Sequence, residues 1–237
     1  DGVNGKQGIL NIDVGTIERL GKLGAANGGS LTVNADSIDV DDLTVTGTDT
    51  TATIKTGDLT VRKTASITAG ATAAITARGS VTSTDSGNDH ARWLVDNAHL
   101  TLTADGNVAI DHTAISNGST AAITTGSSFT GKTFGSASSE TTLTAKGDID
   151  LTGGHDPATG ASAPTLSASG GKLTIESQTG SLKSTGSGDG WKFDGATVNI
   201  TVDKDLLAHD FVKSTNSNVT MTARTGGAAT KDYADGG

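Results

Sequence analysis

Three pairs of aspartates have a spacing that could support metal binding or acid–base chemistry. Residues two apart lie on the same side of a β-strand, and the pairs are Asp39 with Asp41, Asp148 with Asp150, and Asp203 with Asp205. Neighbouring carboxylates can bind Ca²⁺ or serve in polysaccharide cleavage. However, Ca²⁺ requires about six to eight oxygen ligands, and the sequence contains no EF-hand loop. The simpler interpretation is a solvated acidic face.

The histidines and serines do not form a recognisable catalytic or metal-binding motif. No two of the five histidines have metal-ligand spacing, and they are His90, His99, His112, His155 and His209. There is no cysteine, no Gly-x-Ser-x-Gly motif and no phosphate-binding glycine loop between a strand and a helix. The sequence therefore predicts a protein that is not an enzyme and needs no cofactor.

The elements that carry these residues must surround a thin core. Hydrophobic residues make up 33% of the 237 residues and aromatic residues 3%, and another 33 residues are glycine, which has no side chain to pack. A charged fraction of 18% and only two prolines argue against disorder. The net charge of −9 disfavours nucleic acids and anionic membranes as partners, and no apolar run is long enough for membrane insertion.

A short template recurs along the chain, and it predicts the fold. Aliphatic residues alternate with threonine, a turn with Gly, Asp or Asn follows, and two more alternating aliphatic residues end the unit, as in LTVNADSIDV (31–40), LTLTADGNVAI (100–110) and TLTAKGDIDL (142–151). The period of about 21 residues predicts an all-β parallel β-helix of about ten or eleven coils, each with three short strands. Leu100 and Leu102 would point inward and Thr101 outward.

The whole chain, residues 1–237, is predicted to form one β-helix, with residues 1–30 less regular. Residues 16–24 have helical spacing, but Gly21 and Gly24 interrupt it, so this stretch is predicted to be a loop or a single turn. Because the chain has no initiator methionine, we expect it to be a segment of a larger secreted protein.

Three stretches interrupt the repeat, and binding residues are expected there because regular coils serve mainly as scaffold. They span residues 84–98, 153–171 and 186–195. Aromatic and histidine side chains beside charged ones suit contacts with a sugar or a peptide. The candidate ligand contacts are Asp89, His90, Arg92, Trp93, His155, Asp156, Trp191, Lys192 and Phe193. Alternatively, these stretches are solvated loops whose tryptophans fill gaps beside the core.

The repeat sequences LTLTADGNVAI, TLTAKGDIDLTGG and KLTIESQTGSLKSTGS resemble the degenerate coils of two-partner-secretion exoproteins, which include filamentous haemagglutinin and the high-molecular-weight adhesins. The resemblance covers most of residues 31–227. It implies a right-handed parallel β-helix that an outer-membrane partner transporter exports to the bacterial cell surface or the medium. It also implies a virulence function in attachment to host glycans or proteins, to matrix, or to other bacteria.

Some members of this family carry glycans on asparagine. By the resemblance, the candidate acceptors are the asparagines of the Asn-x-Ser/Thr sequences, namely Asn117, Asn199 and Asn218. The sequence thus favours a non-catalytic adhesin segment. The alternatives are a structural spacer rod that presents a distal binding or toxin domain, and a β-helical polysaccharide lyase or hydrolase.

Overall fold

The protein is a parallel β-solenoid of about ten coils, which confirms the predicted fold class. The computed structural model describes residues 8–84, 91–155, 162–185 and 190–235. The strands, in chain order, are β1 (Ile9–Ala26), β2 (Ser30–Thr46), β3 (Thr51–Thr56), β4 (Asp58–Thr68), β5 (Thr72–Ala77), β6 (Val81–Ser83), β7 (Arg92–Asp96), β8 (His99–Ala104), β9 (Val108–Ile110), β10 (His112–Ser116), β11 (Thr120–Thr125), β12 (Phe129–Gly131), β13 (Thr133–Ala137), β14 (Glu140–Ala145), β15 (Ile149–Leu151), β16 (Gly154–His155), β17 (Ser162–Ala163), β18 (Leu166–Ser169), β19 (Lys172–Ser177), β20 (Leu182–Ser184), β21 (Trp191–Asp194), β22 (Thr197–Val202), β23 (Leu206–Thr215), β24 (Asn218–Ala223) and β25 (Ala228–Asp235).

Each coil has three faces, and equivalent strands of successive coils pair in parallel. Coils 1 and 2 are β1 and β2, coil 3 is β3–β4, coil 4 is β5–β7, coil 5 is β8–β10, coil 6 is β11–β13, coil 7 is β14–β18, coil 8 is β19–β21, coil 9 is β22–β23 and coil 10 is β24–β25. In coils 4–8, face 1 begins the coil (β5, β8, β11, β14, β19), face 2 follows (β6, β9, β12, β15, β20), and face 3 ends it (β7, β10, β13, β18, β21). Corner 1 joins faces 1 and 2, corner 2 joins faces 2 and 3, and corner 3 leads to the next coil.

The core consists of columns of inward side chains that run along the solenoid. One column of face 1 contains Ile54, Ile75, Leu102, Ile123, Leu143, Ile175 and Ile200. The predicted inward residues Leu100 and Leu102 are buried, and Thr101 is exposed. Because each coil packs on its two neighbours, small aliphatic side chains fill the interior, which explains how a sequence with 33% hydrophobic residues forms a continuous core.

Polar side chains at corner 1 bind the backbone of the next coil. Asp58 Oδ1 accepts a hydrogen bond from Ser80 N at 2.7 Å, and Ser80 Oγ accepts one from Asn107 N at 3.3 Å. Asn107 Oδ1 then accepts one from Ser128 N at 3.2 Å. These bonds satisfy backbone groups at a bend, where the regular strand pairing is interrupted. The Asp, Asn and Ser residues of the repeat template therefore have a structural function here.

The first coil corrects one expectation. Residues 16–24, predicted as a loop or a single turn, belong to β1, which pairs with β2 and has a register shift between Ile17 and Leu20. Gly24 allows close contact, because a Cβ at this position would lie 2.0 Å from Thr44 O. Pairing with β2 overrides the weak helical spacing of the segment, as tertiary context often does.

Candidate functional site

The predicted interruptions of the repeat leave the solenoid at the same corner. At corner 2, residues 84–91 separate β6 from β7, residues 185–190 separate β20 from β21, and residues 152–165 separate β15 from β18. In coils 5 and 6, by contrast, a single residue turns this corner, Asp111 and Lys132 respectively. The described residues that flank these three interruptions therefore lie along one edge of the rod.

The insertion of coil 7 folds back along the rod. Its strands β16 and β17 pair antiparallel, with Gly154 opposite Ala163. A Cβ at Gly154 would lie 3.4 Å from Lys132 Cβ and 3.7 Å from His112 Cε1. The hairpin strand therefore packs on the corner of coils 5 and 6, where the Lys132 ammonium forms a 2.9 Å ion pair with Asp111.

Face 3 contains a groove beside this hairpin, which we call the neutral half of the face-3 groove. It has a volume of about 280 Å³ and lies across coils 4–7. Its lining includes the outward positions Leu94, Ala114, Gly135 and Ser167, with Pro164 from the insertion. The depression exists because the outward side chains of coils 5–7 in this column, Ala114, Gly135 and Ser167, are small. Outward strand residues at the same register lie about 4.8 Å apart from coil to coil.

His112 forms part of the wall of this groove. It is only 5% exposed, and its Nδ1 and Thr133 Oγ1 form a 2.9 Å hydrogen bond. Arg92 occupies the equivalent position in coil 4, paired with His112 in register. No hydrogen bond or ion pair of Arg92 is found within the described ranges, and its side chain is half-buried. The guanidinium is thus available at one end of the groove.

A second depression of about 410 Å³ adjoins the first at Ser167 and lies across coils 7–9 on the other side of that column, and we call it the cationic half. The two halves share Ser167, and the cationic half adds Lys192 and Lys213. These lysines are paired in register on adjacent coils. Lys192 Nζ lies 5.9 Å from the centroid of the Phe211 ring, a cation–π contact.

The predicted ligand contacts divide into three groups in the structure. Arg92 and Lys192 line the groove, and His155 is exposed in β16. Trp93, Trp191 and Phe193 are at most 1% exposed and belong to the core, so their side chains have no surface to offer a ligand. Asp89, His90 and Asp156 lie outside the described residues.

The core position of the tryptophans has a packing reason. Trp93 stacks between Ala65 of coil 3 and Thr113 of coil 5 in the same inward column. A large side chain between two small ones fills the interior at normal density. The alternative interpretation of the sequence, in which tryptophans fill gaps in the core, describes this arrangement.

Sequence reasoning missed Ala114, Gly135 and Lys213, and it did not select Ser167 although this residue lies in the predicted interruption 153–171. Ala114, Gly135 and Ser167 become neighbours through the stacking register, and the insertion of coil 7 hides the register of Ser167 in the sequence. The available signal is the local replacement of outward threonine by smaller residues between Arg92 and Lys192.

The first aspartate pair is engaged in ion pairs between coils. Arg62 donates to both carboxylate oxygens of Asp39, at 2.7 and 2.5 Å, and the hydrogen bond with this carboxylate raises the pKa of Arg62. Lys63 Nζ lies 3.7 Å from Asp41 Oδ2. These partners neutralise the two carboxylates, so the pair differs from the solvated acidic face expected from the sequence.

The other two pairs contribute to corner 1. Asp148 Oδ1 accepts a hydrogen bond from Ser181 N at 2.7 Å, and Asp205 Oδ1 accepts one from Gly227 N at 3.1 Å. Burial, followed by the charge of Asp148, raises the pKa of Asp150. Within the described ranges, no group of three or more His, Cys, Asp or Glu residues could hold a metal ion.

The three sequon asparagines lie in different settings. Asn117 is exposed in corner 3 with a φ of 56°, and its side-chain amide donates to Asp96 Oδ1. Asn199 is half-buried in β22, whereas Asn218 is exposed at the start of β24. Asn218 is therefore accessible as a glycosylation acceptor, whereas modification of Asn117 would require its hydrogen bond to Asp96 to break.

Comparisons with protein-family models, with curated proteins and with solved structures give no match to this chain. The described ranges contain no helix long and apolar enough to cross a membrane. The fold and the geometry of face 3 therefore carry the functional argument.

Proposed function

We propose that this chain is a non-catalytic adhesive segment of a large bacterial protein, secreted or displayed at the cell surface. The proposal is carried by one observation: the interruptions of coils 4, 7 and 8 all fall at corner 2, and the insertion of coil 7 borders a depression on face 3 through Ala163 and Pro164. Functional surfaces on rigid scaffolds are commonly built from such departures from regularity. The resemblance of the repeats to two-partner-secretion exoproteins supports the same function and export through an outer-membrane transporter.

The settings of the aspartates favour adhesion over polysaccharide cleavage. Cleavage by a pair of carboxylates requires both groups to face the substrate at a defined separation. Asp39 and Asp41 form ion pairs, and Asp148 and Asp205 accept backbone hydrogen bonds at corner 1. The groove itself presents Arg92, lysines and small side chains, which are suited to binding.

The test is attachment of the labelled chain to epithelial cells and to immobilised matrix proteins. A corner-2 variant replaces residues 85–90, 156–161 and 186–189 with short Gly-Ser linkers and leaves the flanking strands intact. The control carries Thr76→Ser, Thr103→Ser and Thr124→Ser on face 1. We expect wild type and control to attach and the corner-2 variant to lose attachment, with all three folded by circular dichroism.

Equal attachment by the corner-2 variant would remove corner 2 from the site. No attachment by any folded form would contradict the adhesive function and favour the spacer rod. The surface location has its own test, since antibodies raised against the chain should label intact bacteria of the source organism. Labelling only after lysis would contradict export.

A further inference from the structure

We propose that face 1 of the solenoid binds ice through a regular array of outward threonines. Two columns of side chains along coils 4–7 form this surface, which we call the face-1 threonine array. The first column contains Ala74, Thr101, Ala122 and Thr142, and the second contains Thr76, Thr103, Thr124 and Thr144. The array lies away from the face-3 depressions, so ice binding is a second function beside the adhesive one.

The array is regular because the face-1 strands share one length and one register. The eight strands β3, β5, β8, β11, β14, β19, β22 and β24 each contain six residues. Successive strands pair in parallel without a register shift. Equivalent side chains therefore lie about 4.8 Å apart from coil to coil and about 6.6 Å apart along a strand. The outward positions form a rectangular lattice.

The β-propensity of threonine does not explain this composition. Threonine is favoured at outward strand positions in general, so propensity predicts similar enrichment on face 3. On face 3, β7, β10 and β13 have three outward positions each, and only Thr133 is a threonine. The same three coils have six threonines at the nine outward positions of face 1, namely Thr72, Thr76, Thr101, Thr103, Thr120 and Thr124.

The array suits a neutral ligand, because none of its eight positions is charged in a chain with a net charge of −9. Charged residues bound its second column, Lys55 in coil 3 and Glu176 in coil 8. The Glu176 carboxylate forms a 3.2 Å ion pair with Arg224. From coil 4 to coil 7 the array is about 14 Å long, and we therefore expect ice binding of moderate strength.

The threonine side chains are suited to holding water in fixed positions. A β-branched side chain has a restricted χ1 angle, so its hydroxyl and methyl groups keep their places in the lattice. Within the described ranges, the hydroxyl groups of the second column form no hydrogen bond with the protein, and they can bond to water. The adjacent methyl groups restrict the orientations of that water. Water on the array is thus pre-arranged to join a growing crystal.

Ice fits the array better than two other neutral partners. Oxygen atoms on a prism face of ice form a rectangular lattice with spacings close to those of the array. A crystalline polysaccharide is normally bound by aromatic rings that stack on its sugars, and the face-1 strands named above have no outward Phe, Tyr or Trp. A second copy of the chain would bury the hydroxyl groups without partners, which costs free energy.

Growth of an ice hemisphere in a solution of the fluorescently labelled full chain tests the inference. We expect the chain to enter the ice, whereas labelled serum albumin should be excluded from it. A nanolitre osmometer gives a second readout. The chain should hold a seed crystal at constant size over an interval below the melting point and give it flat facets.

Two variants and one matched control locate the surface. Thr103→Tyr with Thr124→Tyr places bulky rings in the array, keeps residues of high β-propensity, and should lower incorporation into ice at least fivefold. Thr82→Tyr with Thr130→Tyr makes the same change on face 2 and should behave as wild type. Thr76→Ser, Thr103→Ser and Thr124→Ser together keep the hydroxyls but remove the methyl groups, and should lower incorporation at least twofold. Circular dichroism checks that each is folded.

Several outcomes would overturn the inference. These are exclusion of folded wild type from ice, equal incorporation of the face-1 tyrosine variant, or an equal loss in the face-2 control. Retention on microcrystalline cellulose or chitin without incorporation into ice would assign face 1 to a polysaccharide. A dimer in sedimentation velocity that the face-1 tyrosine variant abolishes would assign it to a second copy. The serine variant separates the two proposed functions, since it should lose ice binding and keep attachment to cells.

Discussion

Corner 2 of coil 4 and corner 2 of coil 8 are built from the same parts but differ in their hydrogen bonds. In each, a buried serine ends the face-2 strand and a buried tryptophan begins or nearly begins the face-3 strand: Ser83 and Trp93 in coil 4, Ser184 and Trp191 in coil 8. In coil 8, Trp191 Nε1 donates to Ser184 Oγ at 3.1 Å. In coil 4, neither Trp93 Nε1 nor Ser83 Oγ has a partner within the described ranges.

The residue that stacks on each tryptophan from the next coil also differs between the two corners. Thr113 stacks on Trp93, and its buried Oγ1 also has no partner in the described part of the chain. Val212 stacks on Trp191 and carries no polar group. Buried polar atoms without a partner cost about 1–3 kcal/mol each. Shape complementarity alone therefore places a tryptophan in this column, and the hydrogen bond is an additional stabilisation that coil 8 has and coil 4 lacks.

The largest expected effect comes from replacing each indole. Trp191→Phe replaces a buried indole with a smaller phenyl ring and removes one of the two hydrogen bonds to Ser184 Oγ, so we expect a loss of about 2 kcal/mol in the free energy of unfolding. Trp93→Phe removes a similar volume but also an unpaired N–H group, so its loss should be smaller by about 1 kcal/mol. Urea denaturation followed by circular dichroism measures both. Equal losses would show that the hydrogen bond in coil 8 contributes nothing.

The serines provide the second test. Ser184 Oγ accepts from Trp191 Nε1 and from His209 N, the latter at 2.9 Å. Ser184→Ala removes both bonds and should destabilise the protein by about 1–2 kcal/mol. Ser83→Ala removes an unpaired hydroxyl and should be neutral or slightly stabilising. A destabilising Ser83→Ala, measured in the same denaturation assay, would mean that the hydroxyl is bonded in solution.

Thr113 permits a third test of the same difference. Thr113→Val keeps the shape and removes the unpaired hydroxyl, so we expect a gain of about 1 kcal/mol in the free energy of unfolding. Thr141→Val is the matched control, because Thr141 is also buried but forms a 2.8 Å hydrogen bond with Ser136 Oγ. The control should lose about 1 kcal/mol. Changes of the same sign in both variants would contradict the assignment of Thr113 as unpaired.

These corners also show what the sequence could and could not predict. The alternation at residues 100–110 was sufficient to orient Leu100 and Leu102, because one face of a strand must be buried. A tryptophan beside charged residues has the same appearance whether it fills the core or contacts a ligand. Only the register, which stacks Trp93 between Ala65 and Thr113, decides between the two.

The groove depended on register in the same way. Arg92 and Lys192 were predicted from composition in the interruptions, but Ala114, Gly135 and Ser167 have no individual signal. Ala114 and Gly135 lie 21 residues apart, but the insertion of coil 7 places Ser167 a further 32 residues along the chain, so the column could not be followed past Gly135 with a period of 21 residues. Small side chains become a site only when the neighbouring coils are known.

The smallest expected effect concerns Asp150 on face 2 of coil 7, which is half-buried and lies beside Lys183 of coil 8. Burial and the charge of Asp148 raise the pKa of Asp150, whereas Lys183 of coil 8 lowers it. A raised pKa means that the folded state binds the proton more tightly than the unfolded state. The ionised form of Asp150 therefore disfavours folding above this pKa, and the penalty disappears as the pH falls through it.

Asp150→Asn should thus be slightly more stable than wild type at neutral pH, and the two should converge in acid. Because the side chain is only half-buried, solvent screening keeps the difference small. Lys183→Ser removes the opposing charge, so Asp150→Asn should stabilise the Lys183→Ser variant more than it stabilises wild type. Melting temperatures from neutral to acidic pH measure both variants. If the stability advantage of Asp150→Asn over wild type instead grows in acid, the fold stabilises the ionised carboxylate of Asp150. Asp150 would then be a favourably bonded polar group, as Trp191 is through Ser184.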